Sequence, residues 1–410
     1  MSPTPSSEKH ARSTLTIVEG TITAPTRGRN ALLVTAMEAA LLGGLYYLAA
    51  RLSLHAALVG TSVTPVWPPS GIALVGLLVF GRRVSPGIYL GAFLVNVTLS
   101  PPHWTAPLIA LGNTLAPLVA YEALRAAHFD LRLERLRDAI TLVFLGALGA
   151  MGISASVGTT TLWLAGALKG HSYAATWSVW WTGDVMGVLV FTPFLLLLLR
   201  ARPQPLRLAR LLEALVLFGG SGVVAVAVFR SHLELLFLVF PFLIWAAWRF
   251  QQAGAAPVTL IVTVVAVWAA VNSIGIFAHR TIFDRMVVLQ TFNGCIALTA
   301  FFLGATTAER NRAQSDEIAH RAHEAELNRK RALELNDEVV QGLSVAKYAF
   351  ESGETRTGKR AIDHTLEAAR QIVRDLLGAS GDGRPIGPGD LVRERPALLG
   401  KDARGRSPYD

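Results

Sequence analysis

The sequence predicts an all-α membrane protein, in which a bundle of transmembrane helices is followed by a helical hairpin outside the membrane. Hydrophobic residues make up 52% of the 410 residues and charged residues 16%, and the mean hydropathy is +0.42. The apolar residues fall into runs of about 15–24, near the roughly 20 that an α-helix needs to cross the hydrocarbon core. After Thr307 the sequence becomes charged and rich in alanine, which indicates a smaller soluble part.

Ten apolar runs are candidate membrane spans. They cover residues 31–50, 66–80, 84–99, 105–124, 139–164, 177–199, 212–229, 235–248, 257–277 and 287–307. The second, third and eighth are short, and the number is eight if residues 66–99 instead form one hairpin that does not fully cross. Lys and Arg are dense in every second loop, so the positive-inside rule predicts an even number of spans with both termini in the cytoplasm.

The positions of the basic residues indicate which partners to expect as well as the topology. The net charge of +9 comes largely from short loops and the terminal tails, so we expect membrane lipids but no nucleic acid as partners. Residues 1–30 are expected to form a disordered cytoplasmic tail. Cys295 is the only cysteine and lies in an apolar run, which excludes an intrachain disulfide. We expect no metal and no cofactor.

A proline-containing turn is the first candidate functional element. The stretch W-P-P-S-G at residues 67–71 directly precedes the apolar run from Ile72 to Phe80. Pro68 and Pro69 lack amide donors and suit the first turn of a helix, where those donors would be unpaired. The alternative is a proline-started membrane helix with an interfacial tryptophan and no further role.

Polar residues inside the spans form the second candidate element. Four of them, Asn113, Asp184, Asn272 and Asn293, fall roughly 5–12 Å from the predicted outer surface at about 1.5 Å per residue. Asn96 lies near the outer end of its span. A charged group in the bilayer costs at least about 2.5–3.5 kcal/mol, so Asp184 should face the bundle interior or a wet cavity. The alternative for each asparagine is an ordinary bond between helices.

These residues predict a ligand-sensing site opening toward the outer side. Its candidate residues are Trp67, Pro68, Pro69, Ser70, Gly71, Asn96, Asn113, Trp181, Gly183, Asp184, Asn272 and Asn293.

Four of the motifs together resemble the MASE1 family of integral membrane sensor domains. They are W-P-P-S-G at 67–71, the asparagines at 96 and 113, W-W-x-G-D-x-x-G-x-L at 180–189, and W-A-A-W-R-F at 245–250. The resemblance covers about residues 31–307. It implies a multi-pass protein of the bacterial inner membrane that receives a stimulus, without identifying the ligand. Such domains usually precede histidine kinase, diguanylate cyclase or phosphodiesterase modules.

The sequence of the soluble part predicts a signalling helix over residues 308–332 and a helical hairpin over 333–377. Residues 309–330 contain no Gly or Pro, so the last span should continue as one helix. Two apolar stripes follow at helical spacing, Val339, Leu343, Ala346 and Phe350, then Ile362, Leu366, Ala369, Val373 and Leu376. Neither helix can bury its stripe alone, so we expect a homodimeric four-helix bundle. The alternative is a hairpin that folds back onto the membrane part.

The first hairpin helix resembles the dimerisation and phosphoacceptor helix of a histidine kinase subfamily with the motif E-L-H-D-x-x-x-Q-x-L. Here the sequence is E-L-N-D-E-V-V-Q-G-L at 334–343, so Asn336 occupies the acceptor position and offers no basic nitrogen for phosphorylation. Asp337 and Gln341 match the residues that the resemblance assigns to acceptor activation and to dephosphorylation of a response regulator. They share one helical face. The alternative is an ordinary pair of solvated side chains.

The predicted function is sensory and not enzymatic. About 33 residues follow Leu377, whereas an ATP-binding domain needs roughly 100, so residues 378–410 are expected to be a disordered tail. A stimulus would then be relayed through the homodimer, a heterodimer with an active histidine kinase, or a bound response regulator. Two alternatives remain, a response-regulator phosphatase that uses Gln341 and a small-solute transporter or channel.

Overall fold

The structure, a computed structural model, describes residues 29–55, 64–99, 102–168, 172–200, 208–231, 233 and 235–378. Every regular element in these ranges is helical, which confirms the predicted all-α class. The chain divides into two compact units, Met1–Arg312 and Ala313–Asp410. The two predicted tails, 1–30 and 378–410, lie almost entirely outside the described residues.

Fourteen α-helices are numbered here in chain order. They are α1 Arg29–Leu54, α2 Pro68–Phe80, α3 Ser85–Val97, α4 Thr105–Ala126, α5 Leu136–Thr141, α6 Met151–Leu164, α7 Tyr173–Met186, α8 Thr192–Arg200, α9 Leu208–Arg230, α10 Phe240–Phe250, α11 Gln252–Val271, α12 Ile282–Leu335, α13 Gln341–Glu351 and α14 Thr355–Gly378. Short π-helical segments join α5 to α6, α7 to α8 and α12 to α13, at Leu142–Gly149, Gly187–Phe191 and Asn336–Val340.

Seven helical stretches in the described ranges are long and apolar enough to cross a membrane, which confirms a polytopic helical bundle. They are Leu32–Leu54, Thr105–Ala126, Leu136–Leu164, Tyr173–Arg200, Leu208–Arg230, Gln252–Val271 and Ile282–Lys330. The other three predicted spans correspond to α2, α3 and Leu236–Phe250. At 1.5 Å per residue, the 13 residues of α2 or α3 reach only about 20 Å, short of the ~30 Å core. Their lengths favour the alternative in which 66–99 form a hairpin that does not fully cross.

Three apolar cores hold the membrane unit together. One joins α1, α2 and α3, the second lies among α2, α4, α6 and the α7–α8 region, and the third lies among α9, α10 and α11. α12 contributes to two of them, through Phe301 to the second core and through Leu289 to the third. α12 therefore packs against helices of both cores.

In the second unit, α13 and α14 pack against each other across the turn Ser352–Glu354, where Gly353 has φ +80°. Small residues make this contact, since Ala346, Ala349 and Thr365 are buried there. The larger apolar residues are only partly covered: Leu343 is 51% exposed, Phe350 43%, Ile362 40% and Leu366 48%. Val339 and Ala369 are half-buried. Val373 and Leu376 lie on α14, but their side chains fall outside the described set.

Candidate functional site

The two glycine-containing motifs of the sequence contact each other directly through their backbones. The amide of Trp67 donates to the carbonyl oxygen of Gly183 at 2.9 Å. A Cβ atom on Gly187 would overlap the carbonyl oxygen of Trp67, and one on Gly71 would overlap the carbonyl oxygen of Gly187. Only glycine permits backbones to approach this closely. The W-P-P-S-G turn is therefore seated on α7 and the π-helical segment that follows it.

A short hydrogen bond lies at the centre of this contact. The hydroxyl of Ser70 donates to Oδ1 of Asp184 at 2.5 Å, and Asp184 is only 1% exposed. The second carboxylate oxygen, Oδ2, is also buried and has no hydrogen-bond partner among the described residues. A buried polar atom without a hydrogen-bond partner costs free energy. A group that donates a hydrogen bond to this oxygen would therefore bind favourably.

A cavity of about 90 Å³ adjoins this carboxylate. Its lining residues are Thr64, Trp67, Asn96, Leu99, Thr105, Ile109, Asn113, Leu162, Trp180, Gly183 and Asp184. Asp184 is the only charged residue in that set. The cavity therefore combines an apolar wall, several neutral polar groups and one buried acid, which is the composition expected of a small-molecule site.

Side chains behind the cavity wall hold its polar residues in place. The hydroxyl of Ser154 donates to Oδ1 of Asn113 at 2.8 Å and accepts from Nε1 of Trp180 at 3.2 Å. Elsewhere in the lining, Nε1 of Trp67 donates to the hydroxyl of Tyr46, which is buried in α1, at 3.5 Å. Both indole N–H groups thus point to partners outside the cavity.

The structure brings five of the twelve predicted sensing residues to the cavity, namely Trp67, Asn96, Asn113, Gly183 and Asp184. Pro68, Pro69, Ser70 and Gly71 form the first turn of α2, where Ser70 supports Asp184 from behind the lining. The other three lie elsewhere. Trp181 donates to the Leu148 carbonyl at 2.9 Å and stacks on Trp177. Asn272 is exposed and caps the end of α11, donating to the Trp268 carbonyl at 2.8 Å.

Asn293, the last of these residues, lies on α12 and is fully buried. Neither of its side-chain polar atoms has a partner among the described residues. One turn earlier, Nε2 of Gln290 donates to the carbonyl oxygen of Pro65 at 2.5 Å, and its Oε1 is unpartnered in the same sense. Pro65 lies between Thr64 and Trp67, so α12 holds the chain segment that lines the cavity.

α12 has a second attachment near the end of the membrane unit. Oε2 of Glu309 accepts a hydrogen bond from the backbone amide of Leu136 at 3.3 Å. Arg312 forms an ion pair with Glu134 on the same loop. These contacts and Gln290 tie two distant points of one helix to the rest of the unit.

Several cavity residues escaped the sequence analysis. Trp180 stands inside a motif that the sequence identifies, but Trp181 is chosen in its place because the two are adjacent and equally aromatic. Thr64 and Thr105 have no pattern of their own, since small hydroxyl residues are common at helix ends. Gln290 carries a detectable signal, because it and Asn293 are polar residues three apart in an apolar run and therefore share a face.

The kinase-like positions lie on the second unit and are exposed. Asn336 begins the π-helical segment Asn336–Val340, and Nε2 of Gln341 donates to Oδ1 of Asp337 at 3.2 Å. The two side chains therefore share a face, as their spacing predicts. Across the described ranges, no group of three or more His, Cys, Asp or Glu side chains is placed to hold a metal ion.

Comparison with known families agrees with this architecture. The MASE1 family model matches residues 38–311, more than half of the chain and nearly the whole of the membrane unit. No curated protein and no solved structure matches the chain. The matched range contains every residue of the cavity and both attachments of α12 except Arg312. The chain is thus a multi-pass membrane protein with a sensory domain, and it belongs to the MASE1 family.

Proposed function

We propose that the protein detects a small ligand in the cavity beside Asp184 and relays the change through α12 to the α13–α14 hairpin. The observation that carries this proposal is Oδ2 of Asp184, a buried carboxylate oxygen without a partner at the edge of a cavity. Leaving such an atom unpaired costs free energy, so a ligand that pairs with it would be bound favourably.

The route from the cavity to α12 is short. Thr64 and Trp67 line the cavity, and the carbonyl of Pro65 between them accepts from Gln290. A ligand that moves either lining residue therefore moves a hydrogen-bond partner of α12. Because α12 runs as a single helix from Ile282 to Leu335, a shift or rotation at Gln290 is carried along its axis.

The ion pair between Arg312 and Glu134 is a weak restraint on a shift or rotation of α12. Arg312 and Glu134 are 40% and 34% exposed, and exposed ion pairs contribute only about 0–1 kcal/mol. A ligand needs little differential affinity to change the population of a state in which this pair is broken.

The hairpin supplies the surface through which the signal leaves. Its apolar residues Leu343, Phe350, Ile362 and Leu366 are only partly covered by packing within one chain, which supports a homodimer. The same surface fits a heterodimer with an active histidine kinase. Membrane lipids are the other partner, and the distribution of Lys and Arg favours the bacterial inner membrane with both termini in the cytoplasm.

The output of the hairpin is proposed to be non-enzymatic because Asn336 has no nitrogen that accepts a phosphoryl group. One observation favours a second candidate, dephosphorylation of a bound response regulator. Gln341 and Asp337 are exposed and hydrogen-bonded on one face beside a π-helical segment, a feature often found at functional sites. Loss of phosphate from a phosphorylated regulator that requires Gln341, tested with Gln341→Ala and with Asn336→Ala as control, would support this candidate.

The sensing proposal is tested by linking the cavity to the hairpin. The full chain, with Cys295→Ser and Leu343→Cys, is placed in lipid nanodiscs, and disulfide formation between subunits is measured. Asp184→Asn should change the rate of cross-linking, because it alters the charge of the site without changing its size. Glu122→Gln, an equivalent change at an exposed acid on α4, is the control. Equal rates in the wild type and both variants would rule out this coupling.

A further inference from the structure

The charge of the cavity lining bears on the kind of ligand that it can hold. Among the eleven described residues that line the cavity, Asp184 is the only charged one, and none of the eleven is Lys, Arg or His. Ser70 satisfies one carboxylate oxygen, while the other is buried without a partner. A cation placed here would compensate a desolvated negative charge, whereas an anion would be repelled.

The two threonine hydroxyls of the wall offer acceptors to a ligand. The hydroxyl protons of Thr64 and Thr105 are directed to the carbonyl oxygens of Val66 and Pro102, at 3.0 and 2.9 Å. The lone pairs of both hydroxyl oxygens remain, because a hydroxyl has one donor and two acceptor positions. A ligand that contacts these two oxygens therefore brings its own N–H or O–H donors.

The aromatic residues provide a second feature suited to a cation. Trp67 and Trp180 both line the cavity, and the N–H of each ring donates elsewhere, to Tyr46 and to Ser154. What the rings can offer the ligand is their carbon surface, whose negative face attracts cations, and tryptophan does so more strongly than other aromatic residues. Bare metal ions make little use of such a surface, while alkylated ammonium ions use it through both charge and carbon atoms.

The size of the cavity limits the ligand. Its volume is about 90 Å³, several times the roughly 10–15 Å³ that one water molecule requires on the same measure. A nitrogen with a few carbon atoms fits this space.

We propose that the cavity binds a small organic ammonium ion, with its nitrogen at Asp184 and its carbon atoms against Trp67 and Trp180. This inference rests on the function proposed above, since it names the class of ligand for the same site. The acid supplies the counter-charge, the threonine oxygens accept from the N–H groups, and the indole rings distinguish an alkylammonium from Na⁺ or K⁺.

Binding is measured by the thermal unfolding midpoint and by calorimetry on the full chain in nanodiscs of zwitterionic lipid. The probes are the chlorides of methylammonium, ethylammonium and tetramethylammonium. Sodium and potassium chloride at equal ionic strength, ethanol and sodium acetate complete the set. We expect a saturable rise of the midpoint with at least one ammonium salt and none with the other probes. A response to every chloride alike, or to none, would overturn the proposal.

Variants locate the site. Asp184→Asn should weaken ammonium binding by about tenfold or more, the usual effect of losing a charged hydrogen-bond partner. Trp180→Phe keeps an aromatic face and should bind, whereas Trp180→Leu should not, and Glu122→Gln should match the wild type. An Asp184→Asn protein that binds the ammonium as well as the wild type contradicts the proposed site, and its unfolding midpoint without ligand shows that it is folded.

The two proposals fail in different ways. If Asp184→Asn changes cross-linking at Leu343→Cys but no ammonium salt binds, the ligand class is wrong and the sensing function stands. If an ammonium ion binds at Asp184 and leaves cross-linking unchanged, the ligand class is right and the relay is wrong.

Discussion

Ser70 donates a 2.5 Å hydrogen bond to Asp184, 114 residues away in the sequence, and this contact joins the two motifs that form the cavity. The bond fixes one oxygen of the carboxylate, and the other oxygen is buried without a hydrogen-bond partner among the described residues. Serine at the start of α2 and aspartate in the last turn of α7 therefore act together, as the support and the charged member of one site.

Removing the hydroxyl should destabilise the membrane unit. Ser70→Ala removes the 2.5 Å hydrogen bond to a buried carboxylate, and a hydrogen bond to a charged group contributes about 1.5–3 kcal/mol. We expect a lower thermal unfolding midpoint in detergent. Ser178→Ala on α7 is the matched control, because its hydroxyl donates to the Ala174 carbonyl at an exposed position. If both variants have the same unfolding midpoint, the Ser70–Asp184 hydrogen bond does not contribute to stability.

The close backbone contact predicts a large cost for one added methyl group. Gly187→Ala would force a Cβ atom into the carbonyl of Trp67, and overpacking of this kind costs typically about 1–3 kcal/mol. Gly219→Ala on α9 is the control, since no atom lies within 4 Å of its Cβ position and alanine is the better helix former. Thermal unfolding should separate the two variants. A Gly187→Ala protein as stable as Gly219→Ala would contradict the contact.

The ion pair between Glu134 and Arg312 should act as a restraint on α12 and not as a source of stability. Glu134→Gln and Arg312→Gln should each leave the unfolding midpoint nearly unchanged, because the pair is partly exposed and worth about 0–1 kcal/mol. Both should change the cross-linking rate at Leu343→Cys in the same direction. The double variant should add little to either single change, since both remove one interaction. Strictly additive effects would show that the residues act separately.

The exposed apolar face of the hairpin should mediate dimerisation. Leu343→Asp should shift the full chain in detergent toward monomer, as measured by light scattering. Val345→Asp is the control, because Val345 is 57% exposed on the same helix but points about 200° away around its axis at roughly 100° per residue. If the two substitutions have equal effects, dimerisation does not depend on the face that carries Leu343. If neither has an effect, the apolar stripe does not mediate self-association.

Several features of the protein follow from its sequence alone. Long apolar runs identify a multi-pass membrane protein, because the bilayer imposes a length and a polarity on any segment that crosses it. The W-P-P-S-G and W-W-T-G-D motifs identify the two segments that meet, because proline, glycine and an intramembrane acid are locally unfavourable unless something compensates them. The spacing of Asp337 and Gln341 likewise predicts their shared face.

Tertiary packing decided which of these residues work together. Asn113 and Asn272 have similar predicted depths, yet Asn113 lines the cavity while Asn272 is exposed at the end of α11. Depth along a helix follows from counting residues, whereas the direction of a side chain and its neighbours depend on how helices rotate and pack. The apolar stripes of the hairpin show the same division, since their spacing is local but only packing determined that Ala346 is covered and Leu343 is not. The spacing of apolar residues can be read from a single helix, whereas a binding site is formed only when several helices pack together.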